Sequence, residues 1–167
     1  ELFDNPNSYS TRLTTKALTI DIQKAVQQGD WNKAIKLANN EIKLASKEWT
    51  KTSPNYTQGI INMGMIYTYM GQYNEAEKYL KKNIYYWEKV APNSEQYYLS
   101  LTILAHLYRE MNRYNESLSL YKTCLKSESS FTGAHLLWQI YFNIASVYTQ
   151  LGKYDFAEEN FHKSLRY

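Results

Sequence analysis

The chain has 167 residues, 44% of them apolar, which suffices for a folded protein, yet no apolar run approaches the roughly 20 residues that span a bilayer. Its net charge of +3 comes from basic residues interspersed with acidic ones, without a stripe that would track a phosphate backbone, so neither membrane insertion nor nucleic-acid binding is expected. The single cysteine, Cys124, excludes an internal disulfide and cannot organise a metal site.

The polar opening, residues 1–10, contains Pro6 and two asparagines and reads as a linker at the start of a segment of some longer protein. From residue 11 onward apolar residues recur at three- and four-residue spacing, the signature of amphipathic helices. The pattern predicts helices over about 11–28, 32–51, 56–70, 74–90, 94–111, 115–127, 133–151 and 155–166. Ile60, Met63, Gly64 and Tyr67 share one helix face, as do Leu101, Leu104, Ala105 and Tyr108, and again Tyr141, Ile144, Ala145 and Tyr148. Each stripe sets a small residue (Gly64, Ala105 or Ala145) after a large one, which allows a second helix to approach closely.

A short turn pattern punctuates these helices four times: Gly29-Asp30-Trp31, Gly71-Gln72-Tyr73, Asn112-Arg113-Tyr114 and Gly152-Lys153-Tyr154. The anchors Trp31, Tyr73, Tyr114 and Tyr154 lie 42, 41 and 40 residues apart, and a period in this range predicts stacked repeats. Glycine, or asparagine as second choice, suits a helix end with positive φ. Asn32, Asn74, Asn115 and Asp155 are then expected to cap the following helices. At the junctions Pro54-Asn55 and Pro92-Asn93, proline is expected to stop one helix and asparagine to cap the next, with Gln58 and Gln96 completing the cap. Two glycosylation sequons begin at Asn55 and Asn115, but both fall at helix starts, where capping accounts for them.

These residues resemble the tetratricopeptide repeat (TPR), a helix–turn–helix unit with small and aromatic residues at fixed positions. Ile60-x2-Met63-Gly64-x2-Tyr67 followed by Gly71, Tyr73, Ala76 and Leu80 carries the likeness. So does Tyr141-x2-Ile144-Ala145-x2-Tyr148 followed by Gly152, Tyr154, Ala157 and Phe161. The first unit departs most: Leu18 and Ile22 fit, while Asp21 stands where an apolar residue belongs. The units are longer than the standard repeat and are similar to those of kinesin light chains and bacterial peptide-pheromone receptors. The resemblance implies an all-α, right-handed superhelical solenoid of four antiparallel hairpins, with units at about 11–53, 54–91, 92–130 and 131–167.

In that family the first helices of the hairpins line a concave groove that holds a peptide or partner helix. Projected onto this sequence, the groove would take Gln23 and Gln27 from the first repeat and Ile61, Asn62, Met65 and Tyr69 from the second. Thr102, His106 and Arg109 would follow, then Phe142, Asn143, Ser146 and Gln150. Asn62 and Asn143 match asparagines that grip a ligand's main chain, because a carboxamide donates and accepts at once. Ile61, Met65, Tyr69 and Phe142 would hold apolar side chains, and His106 with Arg109 would read an acidic group. The carboxylate clamp of co-chaperone TPRs is missing, since its positions hold Thr19, Gln23, Thr102 and Ile103.

No phosphate loop, zinc-protease or serine-hydrolase motif occurs, so the expectation is a non-enzyme without cofactor or metal. The function implied is a protein- or peptide-binding scaffold or adaptor. The alternative is a peptide-sensing regulatory domain coupled to an output module. Phe156, Phe161 and Leu165 would leave the last helix uncapped and open to self-association.

Overall fold

The computed structural model describes residues 6–48, 54–127 and 134–167, and within them every regular element is an α-helix. In chain order these are α1 (Pro6–Gln27), α2 (Trp31–Glu48), α3 (Pro54–Tyr69), α4 (Tyr73–Val90), α5 (Glu95–Glu110), α6 (Tyr114–Leu125), α7 (Ala134–Gln150) and α8 (Tyr154–Ser164). The chain forms two compact units, Glu1–Asn83 and Ile84–Tyr167, with the boundary inside α4. α1 starts at Pro6, within the stretch expected to be linker. Proline is tolerated there because the first N–H groups of a helix lack intrahelical partners anyway.

One turn geometry closes all four hairpins. At the first, the N–H of Gly29 donates to Val26 and that of Asp30 reaches back to Ala25, at 3.0 and 2.9 Å. The same two bonds recur at Gly71–Gln72, Asn112–Arg113 and Gly152–Lys153. This double closure is the Schellman motif, which needs a left-handed residue after the helix, and Asn112 supplies it with φ 58° where the other turns use glycine.

The expected caps are displaced by one or two residues. The turn is so tight that the residue completing one helix's closure is also the N-cap of the next, and the aromatic anchor is already helical. Asp30 therefore caps α2, its Oδ1 accepting from the N–H of Lys33 at 3.1 Å. Asn32, Asn74, Asn115 and Asp155 sit inside the first turns of α2, α4, α6 and α8, and Arg113 and Lys153 cap without a side-chain bond. Likewise Pro54 is the first residue of α3, with Asn55 already inside the helix. Asn93 takes a left-handed conformation (φ 63°), and Ser94 caps α5 by accepting from the N–H of Tyr97. The expected end of the second helix at residue 51 and the third junction near 128–133 lie outside the described residues.

In the first unit, α2 offers a stripe of fully buried alanines, Ala34, Ala38 and Ala45. Side chains this short bring α1 and α3 against it, burying Ile22 and Ala25 on one side and Met63 and Ile66 on the other. α3 comes so near its neighbours that a methyl group on Gly59 would lie 2.6 Å from Ile42 Cγ1, and one on Gly64 2.6 Å from Leu80 Cδ2. In the second unit Leu101 and Ala105 of α5, Tyr121 and Cys124 of α6, and Ile140 and Ile144 of α7 form one cluster. Ser117 stands where the repeat prefers alanine; its hydroxyl donates to the Ala105 carbonyl at 2.7 Å, tying α6 to α5.

Gly64→Ala tests the close contact. Helix propensity alone would favour alanine by about 1 kcal/mol. Overpacking against the buried Leu80 side chain, whose Cγ as well as Cδ2 would be crowded, costs about 1–3 kcal/mol, so urea unfolding is expected to show a net loss. Equal or greater stability would mean that Leu80 relaxes and the contact is not tight.

Candidate functional site

The expected groove residues fall into two groups, one in each unit. In the first unit an open groove of about 470 Å3 runs between α1 and α3. Its polar lining is Thr19, Gln23, Gln27, Gln58 and Asn62. Met65 and Tyr69, 39% and 56% exposed, stand along its apolar side. Ile61 is placed differently. It is buried and does not line the groove, because its position on α3 turns it inward.

Asn62 is held from behind by a residue that the repeat register did not single out. Glu41 of α2 is 1% exposed, and its carboxylate accepts from the Thr19 hydroxyl and from Asn62 Nδ2, both at 2.7 Å. Asn62 Oδ1 in turn accepts from Gln58 Nε2 at 3.2 Å. One N–H of the Asn62 carboxamide is thus committed to Glu41 and one lone pair of its oxygen to Gln58. Burial pushes the Glu41 carboxyl above its ordinary value of 4.5, against the opposing pull of the Thr19 and Asn62 bonds. The sequence did contain a signal: Glu41 continues the Ala34–Ala38–Ala45 stripe at helical spacing. Asn83, Cys124 and Ser164 occupy the equivalent place in the other hairpins, and all are buried.

In the second unit Arg109 gathers two of the other expected residues, together with Glu110. Its Nη1 donates to Asn143 Oδ1 at 3.1 Å, and its Nη2 to His106 Nε2 at 2.9 Å and to Glu110 at 2.9 Å. Since a guanidinium has no acceptor, His106 Nε2 must be the acceptor, which fixes the neutral imidazole with its proton on Nδ1. Burial lowers the His106 pKa first, and the Arg109 charge adds to this, while Glu110 opposes both. Asn143 is held at both ends, with Nδ2 donating one N–H to the Gln139 carbonyl at 2.8 Å. Ser146, with Arg109 and Gln150, lines a second recess of about 350 Å3. Arg109 is less available to an acidic ligand than expected, because Glu110 already faces it.

Phe142 is exposed, as a ligand anchor would be, and it belongs to a larger aromatic strip. His135, Trp138 and Phe142 stack along α7 at 5.9 and 5.5 Å, and Phe161 of α8 meets Phe142 edge-on at 5.6 Å. Trp138 was not singled out, although it sits one helical turn before Phe142. Phe156 and Leu165 are also exposed, at 53% and 78%. Cys124 is a packing residue: it is fully buried beside the Tyr98 carbonyl and the Thr102 hydroxyl, and burial pushes its thiol up to about 11. Among the described residues no group of His, Cys, Asp and Glu is arranged to hold a metal ion, and no helix is long and apolar enough to cross a membrane.

Two family models, both described as Tetratricopeptide repeat, match residues 55–127 and 139–167, together more than half of the chain. None of the curated proteins matches it. Among solved structures, BtubC (BKLC) from P. vanneervenii is similar at 17% identity and a TM-score of 0.72, over 99% of this chain and 66% of that one. The nearly identical TPR-like repeats of a Podosopora anserina protein assigned to the kinesin light chains are similar at 17% identity and a TM-score of 0.71. That match covers 93% of this chain and 74% of the other. The chain thus spans just under two thirds of BtubC, and at such identities these likenesses establish the fold alone.

The Glu41 carboxyl gives a pH signature. Its pKa is raised on folding, so the folded state holds the proton more tightly. Stability is therefore unimpaired below about 4.5 and is lost as pH rises through the folded value. Glu41→Gln removes this loss. The difference in urea-unfolding free energy between variant and wild type is expected to move in the variant's favour from pH 4.5 toward neutrality. A pH-independent difference would show that Glu41 does not titrate there.

Proposed function

The chain belongs to the tetratricopeptide-repeat family, whose repeats are protein-interaction scaffolds, and we propose that it is a non-catalytic module binding a peptide segment of a partner along its first-helix faces. The carrying observation is the unit-one groove between α1 and α3, where Met65 and Tyr69 expose apolar surface beside a row of carboxamides. Sites with apolar anchors and a few placed polar groups are the kind that hold a ligand side chain and fix its orientation. In the second unit Phe142 and Trp138 supply a further apolar anchor, and Ser146, His106 and Arg109 its polar neighbours. Asn62 and Asn143 act mainly by orienting these walls, because each is already bonded within the protein through one amide N–H and through its oxygen. Ile61 contributes by packing α3.

A second partner reading has its own observation. Phe161 with exposed Phe156 and Leu165 offers apolar surface on and just beyond α8, which suits self-association.

Selection of a random decapeptide library against the immobilised chain tests the first reading. Enriched peptides are expected to lose about tenfold or more in affinity with Tyr69→Ala or Phe142→Ala, the scale of an anchor residue. Enrichment of peptides indifferent to both substitutions, or no enrichment, would overturn it. Sedimentation of Leu165→Glu beside the wild type tests the second: a concentration-dependent dimer lost in the variant is expected, and a wild-type monomer throughout would sink it.

A further inference from the structure

Glu41 is a buried carboxylate whose direct partners are both neutral. Thr19 and Asn62 satisfy it by hydrogen bonds, and no basic side chain among the described residues forms an ion pair with it. A buried negative charge without a cation is costly, and its field reaches further than it would in water.

That charge sets the direction of every polar group near it. Asn62 must turn its NH2 toward Glu41, because the reverse flip would press Oδ1 against a carboxylate oxygen at 2.7 Å. Gln58 must then turn its own NH2 toward Asn62 Oδ1, which leaves the Gln58 carbonyl oxygen outside this chain of bonds. Thr19 likewise points its proton inward. The three groups form a relay whose hydrogen bonds run toward Glu41, and hydrogen bonds in such chains polarise one another. No described lining residue is charged, and Glu41 places a carboxylate directly behind Asn62.

We infer that the groove between α1 and α3 is a subsite for an arginine side chain of a bound peptide, recognised by the outward carboxamide oxygens that Glu41 orients. This deepens the groove-binding reading and rests on it. Arginine fits better than lysine because a planar fork of donors can meet several separated oxygens, and a guanidinium is more weakly hydrated than an ammonium. Exposed Tyr69 offers a ring face for the guanidinium and Met65 a flexible wall for its alkyl stem. An acidic side chain would be opposed by the Glu41 charge behind this wall.

The test uses three blocked alanine–serine octapeptides with a central arginine, citrulline or glutamate, titrated into the isotopically labelled chain and followed by NMR. The arginine peptide is expected to shift the side-chain amide signals of Asn62 and Gln58. Citrulline, the same shape without the charge, should bind at least about tenfold more weakly, and glutamate should not bind there. Affinity for arginine should fall as salt is raised. Glu41→Gln should remove the preference for arginine over citrulline. Gln58→Ala, which leaves the Glu41 bonds to Thr19 and Asn62 in place, should weaken arginine binding by a similar factor even if the first variant folds poorly. Equal binding of arginine and citrulline, or arginine binding untouched by Gln58→Ala, would overturn the inference. Shifts at Met65 and Tyr69 with all three peptides would keep the groove and discard the arginine. An absence of shifts at groove residues of either unit would discard both.

Discussion

The distance of closest approach between neighbouring helices governs this structure. Alanines on α2, glycines on α3 and Ala105 on α5 let backbones come together where larger residues would hold them apart. Close approach within a hairpin then demands a turn of fixed geometry, and the same pair of backbone hydrogen bonds closes all four. The aromatic anchors follow from that geometry, because a turn this short puts the next residue directly into the following helix. Sequence periodicity, turn chemistry and helix packing are three expressions of one constraint.

Such packing leaves little room for polar groups at the helix contacts, and those admitted carry the chemistry. Asn62 and Asn143 occupy matching positions and look alike in sequence, yet they are polarised in opposite senses. A carboxylate draws the amide donor of Asn62, whereas a guanidinium draws the carbonyl of Asn143. The first becomes part of a carboxamide-lined wall, and the second is locked into a network with Arg109, His106 and Glu110. A shared register position therefore does not imply a shared role. What each asparagine offers depends on the charge placed behind it by a neighbouring helix.

The helices, the four turns and the small contact residues were legible because each depends on local spacing and on residues with distinctive backbone preferences. Asn112 was read as a glycine substitute for that reason, and it is left-handed. Capping was less legible. Asn32 and Asp30 are both good caps, and only the tightness of the turn decides between them. Among the candidate site residues, Met65, Tyr69 and Phe142 are exposed, because exposure follows helical phase. Ile61 lies only one residue from Asn62, yet that step turns it about 100° around α3 and into the interior. Glu41 was missed because a charged residue in a helix is read as solvated unless its stripe is followed through. Its alanine neighbours carried the contrary information.

The inward position shared by Glu41, Asn83, Cys124 and Ser164 gives the architecture a kind of modularity. Repetition supplies one address four times, at the same depth, occupied by a carboxylate, a carboxamide, a thiol and a hydroxyl. Each tenant acts mainly on its own hairpin and the next, because contacts in a repeat protein are between neighbours. The recognition character of one stretch of the surface can consequently be rewritten by a single exchange underneath it, with no exposed residue altered and the remaining hairpins undisturbed.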